Sequence, residues 1–232
     1  MEVNEQKKNR YFEEAEIQYR NEGFSTAPAE DGHLKILWMG TPLCQVNEKG
    51  GYLYKASEIN GRAREHAFEK AIRIARTVSE YLKNMEKAPP LQANGLEEGY
   101  LLLAEYNDTV LAGRESKLGA QFVTWEWDFE KKSLWQGHYF GNDYQKAKED
   151  FGTRSGLVPK DRVLRDDQLF ELYWYVRESL NRNYPTKAGQ IRLLEGILDQ
   201  ISWEVDNIML RSYSPDEKEM EEEVALGQEF SP

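Results

Sequence analysis

The sequence predicts an α+β fold: two small antiparallel-sheet-plus-helix modules, then a helical hairpin and an acidic C-terminal tail. Three observations lead there. Short apolar runs separated by glycine turns precede a long amphipathic helix, at residues 34–54 and 60–87. The same order of strands and then a helix recurs over residues 100–156. Two further stripes of helical period follow, with Tyr184-Pro185 between them, and the chain ends in a run of acids. The expected divisions are 1–90 for an N-terminal helix with a small sheet-and-helix module, 91–99 for a linker, 100–165 for the second module, 166–210 for the helical hairpin and 211–232 for the tail.

Each element has a local reason. Phe12, Ala15 and Tyr19 fall on one face of a helix over residues 3–22, which Gly23 ends, and 25–32 reads as a loop. Residues 34–39 and 43–46 read as strands broken by Gly40-Thr41-Pro42, and the glycine pair Gly50-Gly51 turns the chain into a third strand at 52–54. From Asn60, a plausible N-cap, to Lys87, the residues Ala67, Ala71, Ile74, Val78, Tyr81 and Met85 form an apolar stripe wide enough, with its neighbours, to cover a sheet. Pro89 and Pro90 stop that helix.

In the second module, residues 100–106 and 109–114 flank the turn Asn107-Asp108. Residues 121–129 alternate, with Val123, Trp125, Trp127 and Phe129 on one face and Thr124, Glu126 and Asp128 on the other, and 134–140 pairs back. Asn142 and Gln145 have capping-box spacing for a helix that Gly152 or Gly156 ends. Residues 166–181 and 186–210 form the hairpin, the second capped by Thr186, and a short acidic helix is expected from Ser214 to Ala225.

With 40% hydrophobic and 31% charged residues, the chain belongs with globular proteins. The single cysteine, Cys44, excludes an internal disulfide and fits a reducing cytoplasm, and its apolar setting suits an inert buried thiol. The first ten residues lack an apolar run, and no stretch approaches the ~18 apolar residues of a membrane span, so neither a targeting segment nor membrane attachment is expected. The net charge is −11 and unevenly placed: residues 199–232 hold ten acids against Arg211 and Lys218, which is −8. Such a balance works against general affinity for nucleic acid and is compatible with contact with a basic surface, the competing reading being that an acidic tail keeps a protein in solution.

The search for chemistry yields little. His33, His66 and His138 share no ligand spacing, there is no cysteine pair, and no phosphate-binding glycine loop or nucleophile elbow is present, so no metal, cofactor or catalytic residue is expected. The trio that comes nearest is Glu126, Asp128 and His138, an acid–base or metal site if the histidine shares the acids' face. The competing expectation makes those acids the wet face of a sheet whose other face lies under helices. Trp125 and Trp127 with Lys131 and Lys132 have the composition of a stacking platform, but burial under the helices accounts better for the tryptophans.

Phe122-Val123-Thr124-Trp125, Gly137-His138-Tyr139-Phe140, Ala147-Lys148-Glu149-Asp150-Phe151 and Arg154-Ser155-Gly156-Leu157-Val158 together resemble accessory proteins encoded on conjugative elements and plasmids of Clostridia-like Firmicutes. The likeness spans about residues 96–205. That class has no assigned activity, so the resemblance implies a setting: mobile elements carry small acidic proteins that block host nucleases, as anti-CRISPR and antirestriction proteins do. It implies a protein partner such as a Cas effector or a restriction enzyme, met by Asp206, Glu217, Glu219, Glu221, Glu222 and Glu223. The alternative is an accessory protein of conjugative DNA processing that contacts DNA or a relaxosome component through Arg62, Arg73, Arg76 and Lys83.

Overall fold

The computed structural model describes residues 2–28, 32–160, 163–182, 184 and 187–212. The fold is α+β, with two four-stranded antiparallel sheets and five α-helices among the described residues. The chain divides into two units, 1–160 and 161–232. The first unit holds both sheets. Residues 91–99, expected as a boundary, lie inside it, with Leu91 buried and Pro90 bridged to Leu101.

Helix α1 (Glu2–Asn21) ends as expected at Gly23, whose φ of +80° a side chain would resist. Phe24 N–H donates to Tyr19 O, and the phenyl ring is buried. That reversal sends residues 25–28 back as a strand, β1 (Ser25–Pro28), paired with β2 (Leu34–Trp38), where a loop was expected. A four-residue polar strand ending in proline carries no alternating signal. It exists because its neighbour supplies the ladder, and proline is tolerated because this is an edge.

Strand β3 (Thr41–Val46) begins two residues earlier than predicted. The turn is Met39-Gly40, both with positive φ, which is the two-residue hairpin geometry, and Thr41 pairs with Trp38. Pro42 fits in this central strand because the register shifts beside it: Ile36 opposes Cys44, Leu37 opposes Pro42, and Leu43 is the additional residue. Asn47 closes the next turn by accepting from the N–H groups of Lys49 and Gly51, and β4 (Tyr52–Leu53) follows. Sheet order is β1-β2-β3-β4.

Helix α2 (Arg62–Lys87) is capped by Gly61, not Asn60, whose amide donates to Ser57 O and so closes the turn before the helix. Of its predicted stripe, Ala67, Ala71, Val78, Tyr81 and Met85 are buried and Ile74 is half-buried, while Ala75 beside the stripe is fully buried. The small alanines let α1 approach α2 closely enough for two tyrosines to reach its backbone. Tyr11 OH donates to Ala75 O at 3.1 Å and Tyr19 OH to Ala71 O at 2.8 Å. Burial pushes both phenols well above their ordinary pKa.

The second sheet is β5 (Leu101–Tyr106), β6 (Thr109–Arg114), β7 (Gln121–Trp127) and β8 (Leu134–Gly141), in that order. Phe129 lies beyond β7 in the turn and is fully exposed, so the alternation predicted to run through it stops at Trp127. Helix α3 (Tyr144–Arg154) is capped by Asp143, which accepts from Lys146 N–H at 3.0 Å; the sequence had pointed to Asn142. One core joins the two sheets: Tyr81 of α2, Phe122 of β7 and Tyr144 of α3 pack ring to ring, with centroids 4.8–5.5 Å apart.

In the second unit, α4 (Asp166–Asn181) and α5 (Ala188–Ser212) pack as the predicted hairpin, with Tyr173, Val176 and Val205 buried. The Thr186 cap and the helix expected over 214–225 lie outside the described residues.

Glu14 of α1 binds three elements together. One of its carboxylate oxygens accepts from Tyr81 OH and from Ala120 N–H, each at 2.8 Å. Glu14→Ala leaves that buried N–H without its partner and should lower the free energy of unfolding by about 2–3 kcal/mol, while Glu14→Gln, which keeps an acceptor, should cost less in urea denaturation. Cys44 is buried and its thiol is pushed up to about 12 by desolvation. Ellman's reagent at pH 8 should therefore titrate no thiol in the folded chain and one per chain in denaturant.

Candidate functional site

The sites named from the sequence fare differently. Glu217, Glu219, Glu221, Glu222 and Glu223 lie outside the described residues; Asp206 falls on α5, with its side chain outside them. Arg62 opens α2, and its side chain is likewise not described. Arg73, Arg76 and Lys83 are exposed on that helix, but Glu69 and Glu80 stand among them, and Glu80 is bound by Lys148 Nζ at 2.9 Å. The surface is mixed, where the DNA-binding alternative needs a continuous basic patch. Arg76 does lie 5.7 Å over the ring of Tyr52.

The convergence of ionisable groups is on the second sheet. Glu126 and His138 share a face, since Thr124 opposes His138 and Glu126 opposes Trp135. Asp128 does not join them. Its carboxylate closes the β7–β8 turn, accepting from Lys132 N–H at 2.8 Å, and that backbone bond holds its pKa below the usual carboxylate range. Two residues of α3 take its place, Asp150 and Arg154, four apart and so on one side of the helix.

The sheet face that was expected to be wet is the one α3 covers. Thr124 is fully buried, and the Arg154 side chain is only 8% exposed. Arg154 Nη1 donates to Thr124 Oγ1 at 2.9 Å, and Nη2 donates to Glu126 Oε1 at 3.1 Å and to Gln136 O at 2.9 Å. Thr124 Oγ1 donates in turn to Asp150 Oδ2. Asp150 Oδ1 lies 3.0 Å from His138 Nδ1; an ionised carboxylate only accepts, so Nδ1 carries the proton of that bond. The opposite face, carrying Val123 and Trp125, is covered by residues of the 91–100 segment, with Tyr100 edge-on to Trp125 at 4.9 Å. Both tryptophan-bearing expectations change accordingly: Trp125 is buried, but under a loop and not under helices, and it offers no stacking surface. Lys131 is held by Glu105 and Asp108, and Lys132 by Glu130.

A β-bulge makes the cluster possible. Gln136 and Gly137 together oppose Trp125, and Gln136 adopts a φ of +49°. That turns the Gln136 carbonyl toward Arg154. A Cβ on Gly137 would fall 2.5 Å from Trp125 Nε1, so only glycine fits there. The Gly137-His138 and Asp150/Arg154 segments, separate in sequence, thus meet at one place.

The arrangement can hold an imidazole in a fixed tautomer, with its ring half exposed, beside a neutralised arginine. Arg154 has no donor pair directed at solvent; its contacts lock α3 to the sheet. Among the described residues, no three His, Cys, Asp or Glu side chains converge as metal ligands would. A surface opening of about 440 Å³ lies elsewhere, beside Lys35, Tyr54 and Lys55 on the first sheet. No described helix is long and apolar enough to cross a membrane. No family model matches the chain, and neither a curated protein nor a solved structure was found to match it.

Removing Arg154 takes a donor from the partly exposed Glu126 carboxylate, from the buried Thr124 hydroxyl and from the Gln136 carbonyl. Arg154→Ala should destabilise the chain by about 3 kcal/mol or more, and Arg154→Lys, a single point charge without the planar fork, should recover only part. His138→Ala, at the exposed end of the same cluster, should cost less than about 1 kcal/mol. Chemical denaturation of the three variants tests this ordering.

Proposed function

We propose that the chain is a non-catalytic binding protein of a mobile genetic element. In this reading it inhibits a host defence nuclease, of the anti-CRISPR or antirestriction type, by presenting acidic surface to the groove that otherwise holds nucleic acid. The observation that supports it is how ionisable groups are used. Where they converge, around Arg154, the guanidinium and both carboxylates are satisfied within the cluster, and His138, held through Nδ1 by Asp150, stands at its border with the ring half exposed. The excess charge is left to residues 199–232, which carry −8 of the net −11. Acid concentrated in one stretch suits a basic partner, where it speeds encounter and selects against acidic competitors. The chain is expected to act in the cytoplasm, where such nucleases work.

The test is binding of purified Cas effectors and restriction enzymes by the full chain and by a chain lacking residues 214–232. Affinity should fall steeply as salt rises, because exposed pairs are screened over roughly 8 Å at physiological ionic strength. Loss of the acidic stretch should remove both the affinity and its salt dependence. If the shortened chain binds as tightly and with the same salt slope, the acidic surface is not the contact.

The second reading, an accessory role in conjugative DNA processing, draws on one feature. Arg76 over Tyr52, with Tyr54 half exposed alongside, pairs a cation with exposed rings, as single-strand binding surfaces do. Replacing Arg73 and Arg76 by glutamate should abolish binding of a single-stranded oligonucleotide under this reading and leave it absent throughout under the first.

A further inference from the structure

Strand β4 pairs with β3 over two residues only, Tyr52 with Val46 and Leu53 with Gln45. The chain then leaves the sheet. The Tyr54 ring packs on Phe68 of α2, with centroids 4.6 Å apart, and Ala56–Glu58 form one short helical turn. β3 itself begins at Thr41, so its first residues have no partner in β4. The opening of about 440 Å³ lies in that gap.

Arg64, in the first turn of α2, fixes the walls. Its guanidinium donates to Thr41 Oγ1 at 2.7 Å and to Pro42 O on one side, and to Glu58 O on the other. The volume falls within the roughly 300–1,000 Å³ of small-molecule sites. Strand pairing sets Lys35 opposite Gln45 and Gln45 opposite Leu53, so the three stand in one row across β2, β3 and β4. They face away from the buried Ile36, Cys44 and Val46. Lys35 and Gln45 are half-buried, and among the described residues neither side chain has a hydrogen bond or an ion pair. Lys55, by contrast, is met by Glu58 at 3.2 Å. The acceptors of Arg64 are uncharged, two carbonyls and a hydroxyl, so positive charge at this opening is left unmatched. Leu53 and Tyr54, 56% and 50% exposed, supply apolar surface beside it.

We propose that the opening binds a small organic carboxylate. Its two oxygens accept from Lys35 Nζ and from the Gln45 amide, and its hydrocarbon body lies on Leu53 and Tyr54. One ammonium beside one neutral amide matches a single negative charge. A phosphate dianion calls for a second cation or a guanidinium fork, and the fork of Arg64 is taken up by Thr41, Pro42 and Glu58. A half-buried ammonium against apolar walls is short of water, which strengthens its attraction for an anion. The site is independent of the acidic stretch at 199–232 and of the reading built on it.

The probes are phenylacetate, its neutral counterpart phenylacetamide, and phenyl phosphate, titrated into the full isotope-labelled chain with amide chemical shifts as the readout. Phenylacetate should shift the signals of Lys35, Gln45, Leu53 and Tyr54 saturably at millimolar concentration or below. Phenylacetamide should bind at least about tenfold more weakly, the equivalent of one charge-assisted hydrogen bond. Lys35→Met keeps the stem without the charge and should weaken phenylacetate by a similar factor, while Lys35→Arg should retain it. No saturable shift at these residues overturns the proposal, as does an amide that binds as well as the acid. A folded Lys35→Met chain of unchanged affinity overturns it too, and tighter binding of phenyl phosphate overturns the assignment to a carboxylate. Should circular dichroism show that Lys35→Met does not fold, the comparison of acid and amide on the unaltered chain decides.

Discussion

The first unit depends on one constraint, that a single helix must serve two sheets. Each four-stranded sheet has an apolar face to cover, and a 26-residue α2 is long enough to reach both. Its N-terminal half is a run of alanines at helical spacing, which admits α1 at close range; its C-terminal half carries Tyr81, which reaches Phe122 and Tyr144 of the other sheet and helix. The contact is polar as well as apolar. Tyr11 and Tyr19 donate to α2 carbonyls that already accept within the helix, and Tyr81 donates to Glu14, beside which its pKa is raised by burial and then by that carboxylate. Buried hydroxyls that all find acceptors add direction to a contact that apolar area alone would leave free to slide.

Around Arg154 the same principle operates with charge. A guanidinium that is almost wholly buried is tolerable only when its donors are met by well-placed acceptors, and here a threonine hydroxyl, a glutamate and a bulged carbonyl meet them. The bulge is the strand's contribution, since a regular β8 would direct the Gln136 carbonyl along the sheet. Gly137 is the residue that permits it. His138 then stands at the border of the cluster, held by Asp150 on one side and open to solvent on the other.

Much of the fold was legible in the residues. The stripe of α2, the period of two in β7 and the hairpin of α4 and α5 are strong because their patterns extend over many residues. What was misread was short or local: β1, the exact turn at Met39-Gly40 and the caps at Gly61 and Asp143. A four-residue strand has too few positions to show a period, and two adjacent candidates for a cap differ only in backbone geometry. For the candidate site, Glu126 and His138 were found, while Asp150 and Arg154 were missed. A signal existed: an acid and a base four apart on a helix whose neighbouring positions, Ala147 and Phe151, are apolar, together with a glycine inside a strand.

By itself the sequence determined the class of fold, the order of its longer elements, the absence of an internal disulfide and the concentration of acid in the last thirty-four residues. These follow from composition and short-range period, which a linear chain displays directly. Only the tertiary structure decided what covers each face of the second sheet, that α2 joins the two sheets into one unit, and that Asp150 rather than Asp128 stands beside His138. Sheet faces are assigned by what packs on them. Val123 and Trp125 are as apolar as Phe122, and nothing in their alternation tells whether a helix or the 91–100 segment will cover them.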